Sequence, residues 1–368
     1  MSRRLITARF ITAALAVGLV AGACSGTPAG PTLKPLKFQL QWVAQSQFAG
    51  YYAAKDQGYY SAEGLDVSLL LGGPQVNNVQ VVATGGADIG TAWLPNMLQS
   101  REGGTDLVSI AQVFQRSGTR MAGFKKAAIT TPKEMAGKKI GSWLGGNEPE
   151  LFAALTKAGL DPTKENIIKQ NFDMSGLLKG DLDVAQAMIY NEYAQVLEAK
   201  NPATGQLYQP SDLNVINFND PSVGTAMLQD QIFASDKWLK TGDNADTATK
   251  FLKASFKGWI YCRDNPQKCV DIVLKNGSQL GASHQQWQMN EINALIWPSP
   301  NGVGLLDKAL WDQTINIATT YKVLKAAPAA GAYRTDLAQK ALDALGSSVD
   351  TKGAGFQRAT ITLKEGGN

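Results

Sequence analysis

Three tryptophans stand where binding a flat molecule would need them. Trp42, Trp93 and Trp143 each fall at or just beyond the end of a short apolar run that reads as a β-strand. In α/β folds the carboxyl ends of strands face the ligand, so wide aromatic faces there suit stacking on a ring or holding a cation. Taken singly, each also suits packing beneath a loop. Tyr190 and Glu192 follow another such run, which ends at Ile189. A carboxylate at that point can accept hydrogen bonds from the amidine-like edge of a heterocycle. It equally suits the first turn of a helix, where the dipole favours an acid. Gln45, Phe48 and Tyr51 lie just past Trp42, and Asn96 just past Trp93; they join the same group of candidates. Gly73, and Gly146 with Asn147, mark turns before helices, whose first N–H groups can gather round a ligand. Ordinary turn chemistry explains them as well. Glu148 and Glu150 count against an anion at the second turn.

The elements that must carry these residues alternate from Leu36 onward between short apolar strands and amphipathic helices, the pattern of an α/β protein with parallel strands. Strands are expected at 36–41, 65–71, 87–93 and 107–114, with helices at 48–58 and 76–84. A second unit is expected to begin after Gly118, with strands at 139–143, 182–189 and 215–218. Asn147 reads as the cap of its first helix, with Glu150 completing a capping box. Residues 227–234 then lead back to the first unit, and mostly helices follow. This is a two-lobed clamshell: one lobe of 36–118 plus 227–348, another of 119–226, and a weakly ordered tail at 349–368. The cleft between the lobes can close by hinge motion. No internal repeat is visible.

Several classes of function drop out. His284 is the one histidine of 368 residues, which leaves little for a metal centre or for imidazole acid–base work. No nucleophile elbow, Walker loop, zinc helix or calcium loop is present, and no cofactor site is expected. The formal charge is +4, and Arg3, Arg4 and Arg9 supply three of the positive charges. Without them the balance is nearly neutral, unlike a nucleic-acid binder.

Those arginines precede an apolar stretch, 11–20, and the small residues Ala21–Gly22–Ala23, the layout of an export signal over 1–23. The apolar stretch is short for a membrane span of about 20 residues. Cys24 follows, and the segment resembles a bacterial lipoprotein box in which that cysteine is lipidated. Plain cleavage near Ala23 is the alternative. Residues 24–35 then form a tether. Cys262 and Cys269 remain, either as a small disulfide or as two buried thiols.

The run from Gln41 to Lys55, with Gly58-Tyr59-Tyr60 and Glu63-Gly64-Leu65-Asp66-Val67, resembles a known family. So do Gly86-Ala87-Asp88-Ile89-Gly90 and Gly137-Lys138-Lys139-Ile140-Gly141. They are similar to solute-binding proteins of ABC importers that share a type II periplasmic-binding-protein fold with fungal thiamine-pyrimidine synthases and sulfonate binders. The resemblance covers about residues 36–300. It implies a monomer that takes a small heterocycle, best a thiamine-pyrimidine precursor of the hydroxymethylpyrimidine or formylaminopyrimidine type, and hands it to a permease and ATPase. Riboflavin and alkanesulfonates are the other cargoes it allows. In the pyrimidine binders a second-lobe glutamate meets the aminopyrimidine edge, a role that Glu192 would fill here beside Trp42, Trp93 and Tyr190. The synthases need a lysine two residues after the glycine of Asp88-Ile89-Gly90 and a histidine four further on. Ala92 and Asn96 stand there, so synthase chemistry is not expected.

Overall fold

The computed structural model describes residues 32–277 and 281–368; the leader and Cys24 lie outside the described residues. The first lobe opens with β1 (Lys34–Gln39), α1 (Ala49–Asp56), α2 (Tyr59–Ala62) and β2 (Leu65–Leu70). It continues through α3 (Asn78–Ala83), β3 (Ile89–Ala92), α4 (Leu94–Glu102) and β4 (Leu107–Gln112). Residues 113–118 cross to the second lobe. There follow β5 (Thr119–Phe124), β6 (Ile140–Ser142), α5 (Pro149–Lys157), β7 (Ile167–Lys169) and α6 (Ser175–Lys179). β8 (Val184–Met188), α7 (Glu192–Leu197) and β9 (Leu213–Asn217) complete it. Residues 218–230 return to β10 (Gln231–Ser235), followed by α8 (Asp236–Leu239) and α9 (Asn244–Asp264). The chain closes with α10 (Pro266–Asn276), α11 (Ala282–Ile296), α12 (Lys308–Thr320) and α13 (Asp336–Asp343).

The first sheet has the order β2-β1-β3-β10-β4 and the second β7-β6-β8-β5-β9. The two orders are the same pattern, each lobe taking its arriving strand into fourth place, so the lobes repeat one another in topology though not visibly in sequence. The sheets are mixed rather than parallel. β10 runs antiparallel to β3 and β4, and β5 antiparallel to β8 and β9. The reason is the crossing itself: a strand that enters from the other lobe starts at the cleft, where its neighbours end. β4 and β8 are buried along their whole length and are mostly apolar on both faces.

Helix α9 is the spine of the first lobe. A Cβ on Gly258 would lie 1.9 Å from the carbonyl oxygen of Gly50, and one on Gly50 would lie 2.2 Å from the Trp259 ring. Two glycines thus let α1 and α9 touch backbone to backbone. Cys262 and Cys269 are joined in a disulfide that ties the end of α9 to the start of α10 (Cα–Cα 5.4 Å).

Two further expectations are corrected. The tail is placed along its length: Val303 and Ser299 donate from their backbones to Thr351 and Lys352, both at 2.8 Å. The Asn290 side chain holds Ala359 by both of its backbone groups. The tail ends on the second lobe, where Gly366 N–H donates to the Glu198 carbonyl at 3.1 Å and Glu365 pairs with Lys200 at 2.7 Å. Its polar sequence hides this because the contacts are made chiefly by backbone. Asn147 is not the cap of α5 either. Glu148 takes the N-cap position without a side-chain cap, and its carboxylate accepts from Gly146 N–H at 2.9 Å. No helix among the described residues is long and apolar enough to cross a membrane.

Candidate binding cleft

The loops after β1, β2 and β3 face those after β6, β7 and β8 across an open cleft of about 870 Å³, the open solvent at its mouth included. Buried glutamines shape those loops. The Gln39 amide donates to the carbonyls of Leu40 and Leu71 at 2.9 and 3.1 Å, tying the first two loops together. Gly72 is required there, since a Cβ would lie 2.4 Å from the Leu40 carbonyl. In the second lobe Gln186 accepts from Ser142 Oγ at 2.8 Å and donates to the Asn147 carbonyl, which fixes the turn after β6.

Of the candidates, Trp42, Gln45, Gly73, Trp93 and Asn96 line the cleft from the first lobe, and Trp143, Asn147, Tyr190 and Glu192 from the second. Phe48, Tyr51 and Gly146 do not. Phe48 and Tyr51 point into the core, where Tyr51 meets Phe38 edge-on at 4.8 Å and Trp259 at 5.4 Å. They sit on the inner face of the first helical turns, so nearness to Trp42 in sequence does not bring them to the cleft. Gly146 (φ 92°) sits where the lobes approach: a Cβ on it would lie 2.8 Å from the Asn96 side chain. Sequence reasoning did not single out Gln41, Gln47, Asn78 or Phe172, which also line the cleft. Phe172 follows β7, a strand of three residues with no clear signal, and meets Trp42 across the mouth with ring centroids 4.8 Å apart.

Among the described residues, the walls carry no lysine, arginine or histidine. Their one carboxylate, Glu192, is buried; its Oε2 accepts from Met188 N–H at 2.9 Å and its Oε1 from Asn191 Nδ2 at 2.7 Å. Burial raises its pKa above the ordinary glutamate value, against these donors. Just behind the wall lies Asp230, which the sequence did not mark because it ends a linker without periodicity. It accepts from the amides of Gln41 and Gln47, each at 2.7 Å, and burial pushes it up to about 6. Its φ of 32° is unusual for a residue with a side chain, a strain that favours a positioning role. Three buried polar atoms of the wall have no protein partner: Gln41 Oε1, Asn96 Oδ1 and Trp143 Nε1. Two of them accept and one donates. Ala92, at the end of β3, is buried and offers no amine to the cleft.

Glu150 lies outside the cleft, contrary to its reading as part of a capping box. Its carboxylate spans the two crossing segments, accepting from Met227 N–H at 2.6 Å, Ser117 Oγ at 2.9 Å and Gln229 Nε2 at 3.1 Å.

A family model described as NMT1/THI5 like matches residues 45–269. The chain is 20% identical to the formylaminopyrimidine-binding protein of Halalkalibacterium halodurans, over 77% of this chain and 84% of that protein. It is 24% identical to the riboflavin-binding protein RibY of Chloroflexus aurantiacus, over 83% of this chain and 90% of that one. The crystal structure of the aliphatic sulphonate binding protein SsuA of Escherichia coli superposes with a TM-score of 0.59 at 13% identity. That match covers 90% of this chain and 94% of the other and establishes the periplasmic-binding-protein fold.

Proposed function

From the premise that this chain belongs to the NMT1/THI5-like family, we propose that it is the extracytoplasmic solute-binding protein of an ABC importer. Its cargo is a neutral or weakly basic aromatic N-heterocycle, best a thiamine-pyrimidine precursor of the formylaminopyrimidine or hydroxymethylpyrimidine type. The observation that carries this reading is a cleft walled by Trp42, Trp93, Trp143 and Tyr190 that, among the described residues, holds one buried carboxylate and no basic side chain. Such walls stack on a ring, the carboxylate accepts from an aminopyrimidine edge, and a sulfonate or phosphate finds no counter-charge. Bonds that form only when both lobes meet the ligand drive closure. The closed protein is a monomer that docks on a permease and its ATPase, held to the membrane through lipid on Cys24.

Riboflavin is the second candidate, favoured by the RibY relative and by aromatic walls that a larger ring system also fits. The synthase reading is disfavoured by Ala92 and Asn96. Tryptophan fluorescence and thermal shift against formylaminopyrimidine, hydroxymethylpyrimidine, riboflavin, taurine and pyridoxal phosphate test the proposal. A pyrimidine is expected to quench and stabilise, with affinity falling roughly tenfold or more in Glu192→Ala. Binding of taurine alone, or an aldimine absorbance with pyridoxal phosphate, would overturn it. Palmitate labelling lost in Cys24→Ser tests the anchor.

A further inference from the structure

Glu192 is one end of a chain of hydrogen bonds that reaches into the other lobe. Its Oε1 takes Asn191 Nδ2 at 2.7 Å, Asn191 Oδ1 faces His284 Nε2 at 2.8 Å, and His284 Nδ1 faces Glu198 Oε1 at 2.8 Å. His284 stands in the first turn of α11 in the first lobe, whereas the other three flank α7 in the second. The chain is shielded from water: the His284 and Glu198 side chains are 12% and 6% exposed, and Glu192 is buried.

The directions of these bonds are not free. An ionised carboxylate oxygen only accepts, so Glu192 requires the nitrogen end of the Asn191 amide. The oxygen end is thereby turned to His284, and an amide oxygen also only accepts. Nε2 of His284 must therefore carry a proton. Turning the amide round would set two acceptor oxygens against one another at the Glu192 end. On the far side of the ring, Nδ1 lies against the Glu198 carboxylate.

We propose that His284 is a positioning residue for the ligand-binding carboxylate. When the lobes meet, its Nε2–H fixes the Asn191 amide, and the amide fixes Glu192. Ordering of the polar end of the cleft is thus coupled to closure. With the lobes apart, Asn191 loses the donor that fixes the sense of its amide, and of the two donors to Glu192 only the Met188 N–H keeps a set direction. This inference rests on the reading of Glu192 as the polar anchor of the cleft.

Because the chain has one histidine, a long-range ¹H–¹⁵N spectrum of the full protein contains a single imidazole system. Nε2 is expected in its protonated form in the wild type. In Glu192→Gln the new amide can donate to Asn191 Oδ1, which leaves Asn191 Nδ2 free to donate to Nε2 and lets that nitrogen lose its proton. An unprotonated Nε2 in the wild type, or one that Glu192→Gln does not move, overturns the proposal. In titrations with formylaminopyrimidine, His284→Ala is expected to weaken binding roughly tenfold, and His284→Gln, which keeps one donor, to recover part of that loss. Equal affinity in wild type and His284→Ala also overturns it. A proton on Nε2 that responds to Glu192→Gln, in a protein that binds neither formylaminopyrimidine nor riboflavin, upholds the positioning role and removes the ligand reading instead.

Discussion

At the scale of single residues, Glu150 has the most to say about pH. Burial is the main cause that lifts its carboxyl to about 7, against the donors from Met227, Thr119 and Ser117. The folded state therefore holds a proton there that the unfolded chain releases near its ordinary 4.5. Stability falls as pH rises between those two values and is level above the upper one. Asp230, lifted to about 6, adds the same sign at lower pH. The melting temperature is expected to drop from pH 5 to pH 8, with a contribution from Glu150 on the order of 3 kcal/mol at most. Glu150→Gln should flatten that slope; an unchanged slope would remove Glu150 as its source. The sequence named Glu150 but misread it, because a capping box and a buried hinge carboxylate share the same spacing. The strand-end tryptophans were legible for a physical reason: strand ends are set by local pattern, and a bulky residue there must face the cleft or a loop. Asp230 was not legible, since its partners Gln41 and Gln47 are brought to it only by the fold.

At the scale of elements, the contact between α1 and α9 depends on two missing side chains. Gly258→Ala would force the Gly50 carbonyl away, since even the nearest carbon beyond it, Ala54 Cβ, is only 3.0 Å from the added atom. A loss of about 2–3 kcal/mol is expected in urea unfolding, while Gly355→Ala, with open space around it, should stay within about 0.5 kcal/mol. Equal effects would mean that the two helices separate freely. Most strands and long helices were readable from apolar runs and turn residues. β7 and α4 were not: β7 has three half-exposed or exposed residues, and α4 follows Trp93 with no polar cap to announce it. Strand direction was also out of reach, since periodicity carries no sign and only the route between lobes determines it.

At the scale of the whole molecule, the chain passes between the lobes in two crossing segments and again in its tail. Leu363 packs on the core of the second lobe, and Glu365 and Gly366 bond to Lys200 and Glu198. The contacts comprise one exposed ion pair, one backbone bond and a half-buried leucine, so they bias closure modestly. Ending the chain after Thr362 is expected to leave the melting temperature within a few degrees. It should weaken ligand binding several-fold and enlarge the ligand-free radius of gyration in small-angle scattering. An unchanged radius and affinity would show that the tail only decorates the surface.

The polar part of the cleft wall is made largely of side-chain amides, Gln41, Gln45, Gln47, Asn78, Asn96, Asn147 and Asn191 among them. An amide can exchange donor for acceptor by turning about one bond, with no change in volume or charge. Such a wall is ambidextrous. Aromatic faces set the thickness of what enters, while the amides can be reset around a different pattern of ring nitrogens and carbonyls without rebuilding the scaffold. Laboratory evolution toward a new heterocycle would then start with the second-sphere groups that hold each amide in its present sense, such as Asp230 behind Gln41 and Gln47, before touching the residues that meet the cargo.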